Sequence, residues 1–271
     1  MKFAFLVTYE LRCLKHLDKL YQHIVDFYDA DIFICCQDIE CTDKQLELFD
    51  KKVIFKQSYK KPNSFDYFNR NYLVRKPCKH NWNMESCLQI YINWNEMANA
   101  LEDVKDNYDY FINIRTDIDI LFPFPDKHIF EQAPKGIYAF GANYCERWGG
   151  MGFGAFIHKK YIMSYLRCTS NVIKSPQMCA RIKNIDNHNQ ERFLTNCMQL
   201  HGLTFHFIKQ LNFIYIADDI HASTTWAKPQ HHPRYPGIIK YPDQVNEVLG
   251  YLNLWDKGHR WNFINNCIMI K

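Results

Sequence analysis

The chain has 271 residues, a formal charge of +4, and 47% hydrophobic and 23% charged residues, a composition that supports a sizeable core and excludes a disordered chain. Its basic residues are dispersed rather than massed into a stripe, so no nucleic-acid partner is expected. No apolar stretch approaches the roughly 20 residues of a membrane span, and the apolar run in MKFAFLVTYELR is too short for a signal sequence, so the expectation is a soluble, cytoplasmic protein with no integral membrane segment.

Lys2 to Thr8 (KFAFLVT) reads as a first strand, and Leu11, Leu14, Leu17, Tyr21, Ile24 and Tyr28 follow at helical spacing. The helix they predict returns the chain to Asp31–Cys36 (DIFICC), a second parallel strand, which makes a βαβ unit. The 11 cysteines include the adjacent Cys35 and Cys36 but no CxxC pair, which favours reduced, buried thiols over a disulfide framework or a zinc knuckle. A third short run, Val53–Phe55, precedes a loop from Lys56 to Trp82. Met84, Cys87, Leu88, Tyr91, Trp94, Ala98 and Leu101 then keep a 3.6-residue period that predicts a helix over Met84–Val104.

That helix feeds Tyr110–Ile114, a β-branched and aromatic run suited to a strand buried on both faces. Arg115-Thr116-Asp117-Ile118-Asp119 comes next, with two carboxylates one residue apart where the strand is expected to end. The order of elements is that of a nucleotide-binding α/β half. Strands are expected at Gly136–Phe140 and Ala155–Ile157, and four of the ten glycines fall between 149 and 154, where the backbone must turn tightly or admit a close approach. Helices over Tyr161–Cys168 and Gln190–Gly202, strands at Thr204–Ile208 and Asn212–Ile216, an irregular His- and Pro-rich stretch from His221 to Pro236, and a helix over Asp243–Trp255 complete the chain.

In open α/β sheets ligands bind outside the carboxyl ends of the strands, so Asp117 and Asp119 are placed for a ligand. Two such carboxylates can share a hard divalent cation, Mn²⁺ or Mg²⁺, which prefers carboxylate and phosphate oxygens and would neutralise a diphosphate leaving group. An Asp-x-Asp pair can also simply cap a turn.

The run YDYFINIRTDIDI, preceded by a long amphipathic helix and the ADIFICC strand, resembles nucleotide-sugar glycosyltransferases of the GT-A fold, in particular small soluble ones of bacteria and large DNA viruses. The resemblance covers roughly residues 1 to 210 and rests on the order of elements more than on any single motif. It implies a Rossmann-like α/β fold with a mixed, mainly parallel sheet flanked by helices. The length, with no linker interrupting the chain, leads to the expectation of one such domain over residues 1–271, comprising a nucleotide-binding half (1–122) and an acceptor-side half with a C-terminal lid (123–271).

By matching position, Asp117 and Asp119 would hold the metal and the nucleotide-sugar. Thr8, Tyr9 and Arg12 would contact base and ribose, and Arg115 would contact the donor or pair with an acid. Trp148, Gly149 and Gly150 would border the sugar and acceptor, with a core Trp beside a tight turn as the competing reading. Glu191, then Asp186, is the candidate base for an inverting transfer, although an acid in a first helical turn also favours the helix dipole. His221 is the candidate third metal ligand, ahead of His231 and His232. From charge and position alone, Lys228, Arg234, Lys257 and Arg260 could close over phosphates as a basic lid. The expected function is transfer of a sugar from a UDP-sugar, such as UDP-xylose or a UDP-hexose, to a glycan hydroxyl. A nucleotidyltransferase acting on sugar phosphates and a non-catalytic sugar-binding module are the rivals.

Overall fold

The computed structural model describes residues 1–8, 11, 14–37, 43–49, 52–60, 62, 63, 67, 84–140, 154–182, 190–208, 211–216, 230–239, 241–262 and 268–270. Strands β1 (Phe3–Val7), β2 (Asp31–Gln37), β3 (Val53–Tyr59) and β4 (Tyr110–Ile114) form the parallel half of a seven-stranded sheet. Its order is β3-β2-β1-β4-β7-β6-β8 once β5 (Ile118–Ile120) is set aside and β6 (Ile137–Phe140), β7 (Gly154–His158) and β8 (Phe205–Ile208) are added. β7 runs antiparallel to both neighbours and every other pair is parallel, so the sheet is mixed and mainly parallel, as expected.

β1 and β4 are buried along their whole length, because helices or ribbons cover both faces. Alternation sends Phe3, Phe5, Val7, Tyr110 and Ile112 into one core, and Ala4, Leu6, Phe33 and Phe111 into the other. The second core is closed by the long helix Met84–Leu101 and by helices Lys159–Lys174 and Gln190–Leu200. Trp94 of the long helix stacks on Tyr165 at 4.9 Å, which fixes two of these helices to each other. Cys168 and Cys197 are buried there as free thiols whose pKa is raised by burial, in keeping with inert core residues.

The first core lies under a helical run from Leu14 to Tyr28 that passes through 3₁₀, α and π turns, and under the helices Lys127–Gln132 and Pro242–Asp256. It also receives a ribbon of β5 with β9 (Phe213–Tyr215). β10 (Gln230–His232) and β11 (Tyr235–Ile239) make a hairpin, joined to the ribbon by a bridge between Ile216 and Ile239. β12 (Arg260–Asn262) and β13 (Ile268–Ile270) form a last antiparallel pair.

Several boundaries differ from the sequence expectation. β3 extends to Tyr59 into the stretch read as loop, and the helix after β7 runs to Lys174 rather than Cys168. His231 and His232, expected in an irregular segment, lie in β10. Pro233 sits in the two-residue turn of the hairpin and Pro236 is exposed on β11, so neither proline is asked to donate a buried ladder bond. Among the described residues no helix is long and apolar enough to cross a membrane.

Candidate functional site

β4 ends at Ile114, and the chain turns through Arg115 and Thr116 before beginning β5 at Ile118. The acidic pair thus follows the end of β4 directly, but a second, unexpected strand begins between its two members. It flanks the first residue of that strand, whose Ile118 and Ile120 enter the core. Asp119 pairs with Ile214 across the ribbon, and the Asp117 carbonyl accepts from Ile216 N–H at 3.1 Å. Both backbones are thus fixed, and the carboxylates are buried, at 5% exposure for Asp117 and 3% for Asp119.

A buried carboxylate needs a matched charge, since desolvation otherwise costs several kcal/mol, roughly, per ion. Arg115 supplies it to Asp117 through two parallel bonds, Nε to Oδ1 at 2.7 Å and Nη2 to Oδ2. The guanidinium also lies over the Tyr215 ring at 5.4 Å from its centroid. Burial works against the Arg115 charge, but Asp117 beside it more than compensates, and its pKa is raised. At Asp119, Oδ1 meets Lys19 Nζ at 2.6 Å and Oδ2 accepts from the Tyr235 hydroxyl at 2.7 Å. His16 Nδ1 lies 3.8 Å from Oδ1. Burial lowers the His16 pKa, Asp119 opposes that shift, and Lys19 adds to it, leaving a neutral imidazole at neutral pH.

Thr8 emerges from β1 at the same edge of the sheet, where its hydroxyl donates to Asn113 Oδ1 at 3.0 Å. Asn113 Nδ2 and Thr116 Oγ1 are buried without a hydrogen-bond partner among the described residues. Gly154 explains one of the clustered glycines. Its φ is +121°, and a Cβ there would fall 2.6 Å from the Asn113 carbonyl oxygen, so only glycine lets β7 pass the end of β4 beside the acidic turn.

Of the expected site, the structure pairs Arg115 with Asp117 beside Asp119 in one turn and strand, and places Thr8 at the same edge of the sheet on Asn113. Tyr9, Arg12, Trp148, Gly149, Gly150, Asp186 and His221 lie outside the described residues, as does Lys228. Glu191 is the second residue of the helix Gln190–Leu200. Of the expected lid, Arg260 is held over the Trp255 ring at 4.2 Å and Arg234 reaches Asn246 at 3.3 Å. Lys257 follows the last helix as its C-cap. Sequence reasoning did not single out Lys19, His16 or Tyr235. The i, i+3 spacing of His16 and Lys19 just after the first strand was a usable signal for a shared helix face; nothing local marked Tyr235.

Among the described residues no group of three or more His, Cys, Asp or Glu is arranged to hold a metal ion. Asp117 and Asp119 are the carboxylates that could take part in holding a hard cation, and His16 Nδ1 lies 3.8 Å from one of their oxygens. Lys19 Nζ, 2.6 Å from Asp119 Oδ1, already stands in for a cation at that oxygen.

No family model matches the chain, and no curated protein matches it by sequence. Among solved structures, the crystal structure of an active-site mutant of LgtC superposes with a TM-score of 0.41 at 9% identity, over 76% of this chain and 72% of that one.

Proposed function

We propose that the chain is a metal-dependent glycosyltransferase of the GT-A type, moving a sugar from a nucleotide-diphosphate donor, a UDP-sugar such as UDP-xylose or a UDP-hexose, to a hydroxyl of a glycan acceptor with inversion. The observation that carries this reading is the pair Asp117 and Asp119, two buried carboxylates at the carboxyl edge of the sheet, each matched to a cation.

In this reading Asp117 and Asp119 hold Mn²⁺ or Mg²⁺, with His16 or His221 as a further ligand. The chemistry supplied by the bound ion is neutralisation of the diphosphate as it leaves. Arg115 keeps Asp117 in one orientation through its two-point contact, so the carboxylate need not reorganise as charge develops. Thr8, with Tyr9 and Arg12, receives the nucleoside at the end of β1. Trp148 offers an indole face to the sugar beside Gly149 and Gly150. Glu191, or failing it Asp186, takes the proton of the acceptor hydroxyl on the face opposite the diphosphate.

A thermal-shift screen of nucleotide sugars with and without Mn²⁺ tests the reading. The expected result is a Mn²⁺-dependent stabilisation by a UDP-sugar, lost in Asp119→Ala. Glu191→Gln should keep donor binding and lose transfer. No stabilisation by any nucleotide sugar, with or without metal, would overturn the assignment.

A further inference from the structure

The two carboxylates are neutralised in different ways. Asp117 is gripped by a planar guanidinium through two bonds, and that guanidinium is itself stacked on Tyr215. Asp119 is neutralised by one ammonium at the end of a flexible four-carbon stem, with the Lys19 side chain 35% exposed against 5% for the Asp119 side chain. The first arrangement is preorganised, whereas the second can be undone by rotating a few bonds of the lysine. Tyr235 holds the other Asp119 oxygen at 2.7 Å, so the carboxylate keeps its orientation when the lysine leaves.

We propose that Lys19 is a tethered counter-ion: it occupies the cation position of Asp119 in the ligand-free protein, yields that position to a divalent cation, and then pairs with the diphosphate of the nucleotide donor. This rests on the glycosyltransferase reading and names a residue of the same site. A divalent cation at Asp119 Oδ1 would be repelled by an ammonium held at contact distance from the same oxygen, so lysine and metal compete there. The apparent metal affinity is lowered in proportion to the time Lys19 spends on Asp119. A nucleoside diphosphate draws the ammonium away and so raises metal affinity, and by reciprocity the metal raises affinity for the diphosphate. Metal alone therefore binds weakly, and metal with nucleotide binds tightly.

The test is Mn²⁺ binding, read from the electron paramagnetic resonance signal of the free ion, for wild type, Lys19→Met and Asp119→Asn, with and without UDP. Met keeps the apolar stem and removes the charge; Lys19→Gln serves if the Met variant does not fold by circular dichroism. The expected result is Mn²⁺ binding about 10-fold tighter in Lys19→Met than in wild type without UDP, and a loss of most of the UDP-induced gain in Mn²⁺ affinity. Asp119→Asn should bind no Mn²⁺. Equal Mn²⁺ affinity and equal UDP enhancement in wild type and Lys19→Met, with binding still lost in Asp119→Asn, would overturn the role of Lys19 and leave the glycosyltransferase reading standing. Absence of both Mn²⁺ and UDP binding in every variant would overturn both.

Discussion

On the face of the sheet that carries the long helix, the carboxyl edge is closed by neutral pairs. Thr8 donates to Asn113, Gln37 Nε2 donates to Gln89 Oε1, and the Tyr59 hydroxyl donates to Asn93 Oδ1. On the opposite face the same edge carries Arg115 with Asp117 and Lys19 with Asp119. Neutral buried pairs fix the spacing of strand ends and helix at modest cost, because a hydrogen bond replaces water contacts of similar strength. Buried charges are far more costly to keep, and each here is matched by an opposite charge. One region is closed by neutral pairs, and the other by ion pairs.

The sharpest way to break this comparison is Asp119→Ala. Transfer should fall by at least about 10³-fold, the scale of several kcal/mol of charge stabilisation, while the circular dichroism spectrum is retained. Wild-type turnover would return the charged cluster to a structural role. Next in size is Gly154→Ala, which forces a Cβ against the Asn113 carbonyl at positive φ and should cost about 3 kcal/mol in urea unfolding. A smaller loss would mean that β7 can move away from the acidic turn.

Thr8→Val removes a buried donor and should cost about 1–2 kcal/mol. It also tests the border between the two regions. A weakened affinity for UDP, measured by calorimetry, would assign Thr8 to the ligand as well as to Asn113, whereas unchanged affinity would leave it in the neutral layer alone.

The smallest effect is a control at the far edge. His158 caps the helix Lys159–Lys174 by accepting from Lys160 N–H at 3.2 Å, a role only an unprotonated Nδ1 can fill. Burial, then Lys135 and Lys159, lowers its pKa below 6.5. The folded state thus binds fewer protons than the unfolded one, and the stabilisation is complete above pH 6.5 and lost as pH falls from there through the lowered folded value. Wild type should lose about 1 kcal/mol over that interval, the worth of a cap, and His158→Asn should not.

Much of the sheet was legible because its strands are buried on both faces and read as unbroken β-branched and aromatic runs, as in Phe3–Val7 and Tyr110–Ile114. The acidic pair was legible for the same reason, since it directly follows such a run. Its counter-charges were not. Lys19 lies 100 positions from Asp119 and Tyr235 lies 116 positions from it, and neither spacing leaves a periodic trace. The hairpin β10–β11 was hidden by Pro233 and Pro236, which read as breakers although one occupies the turn and the other an exposed strand position. β5 was missed because its three residues pair with β9, a partner more than 90 positions downstream.

Phe122, three residues beyond Asp119, has Trp255 on one flank at 5.5 Å and Trp261 at 5.9 Å, both rings nearly parallel to its own. Trp261 also donates its indole N–H to the Pro123 carbonyl at 2.8 Å. The protein therefore carries its own optical reporter. A shift of the acidic strand would change the packing and polarity around two indoles, and unlabelled fluorescence emission would register it.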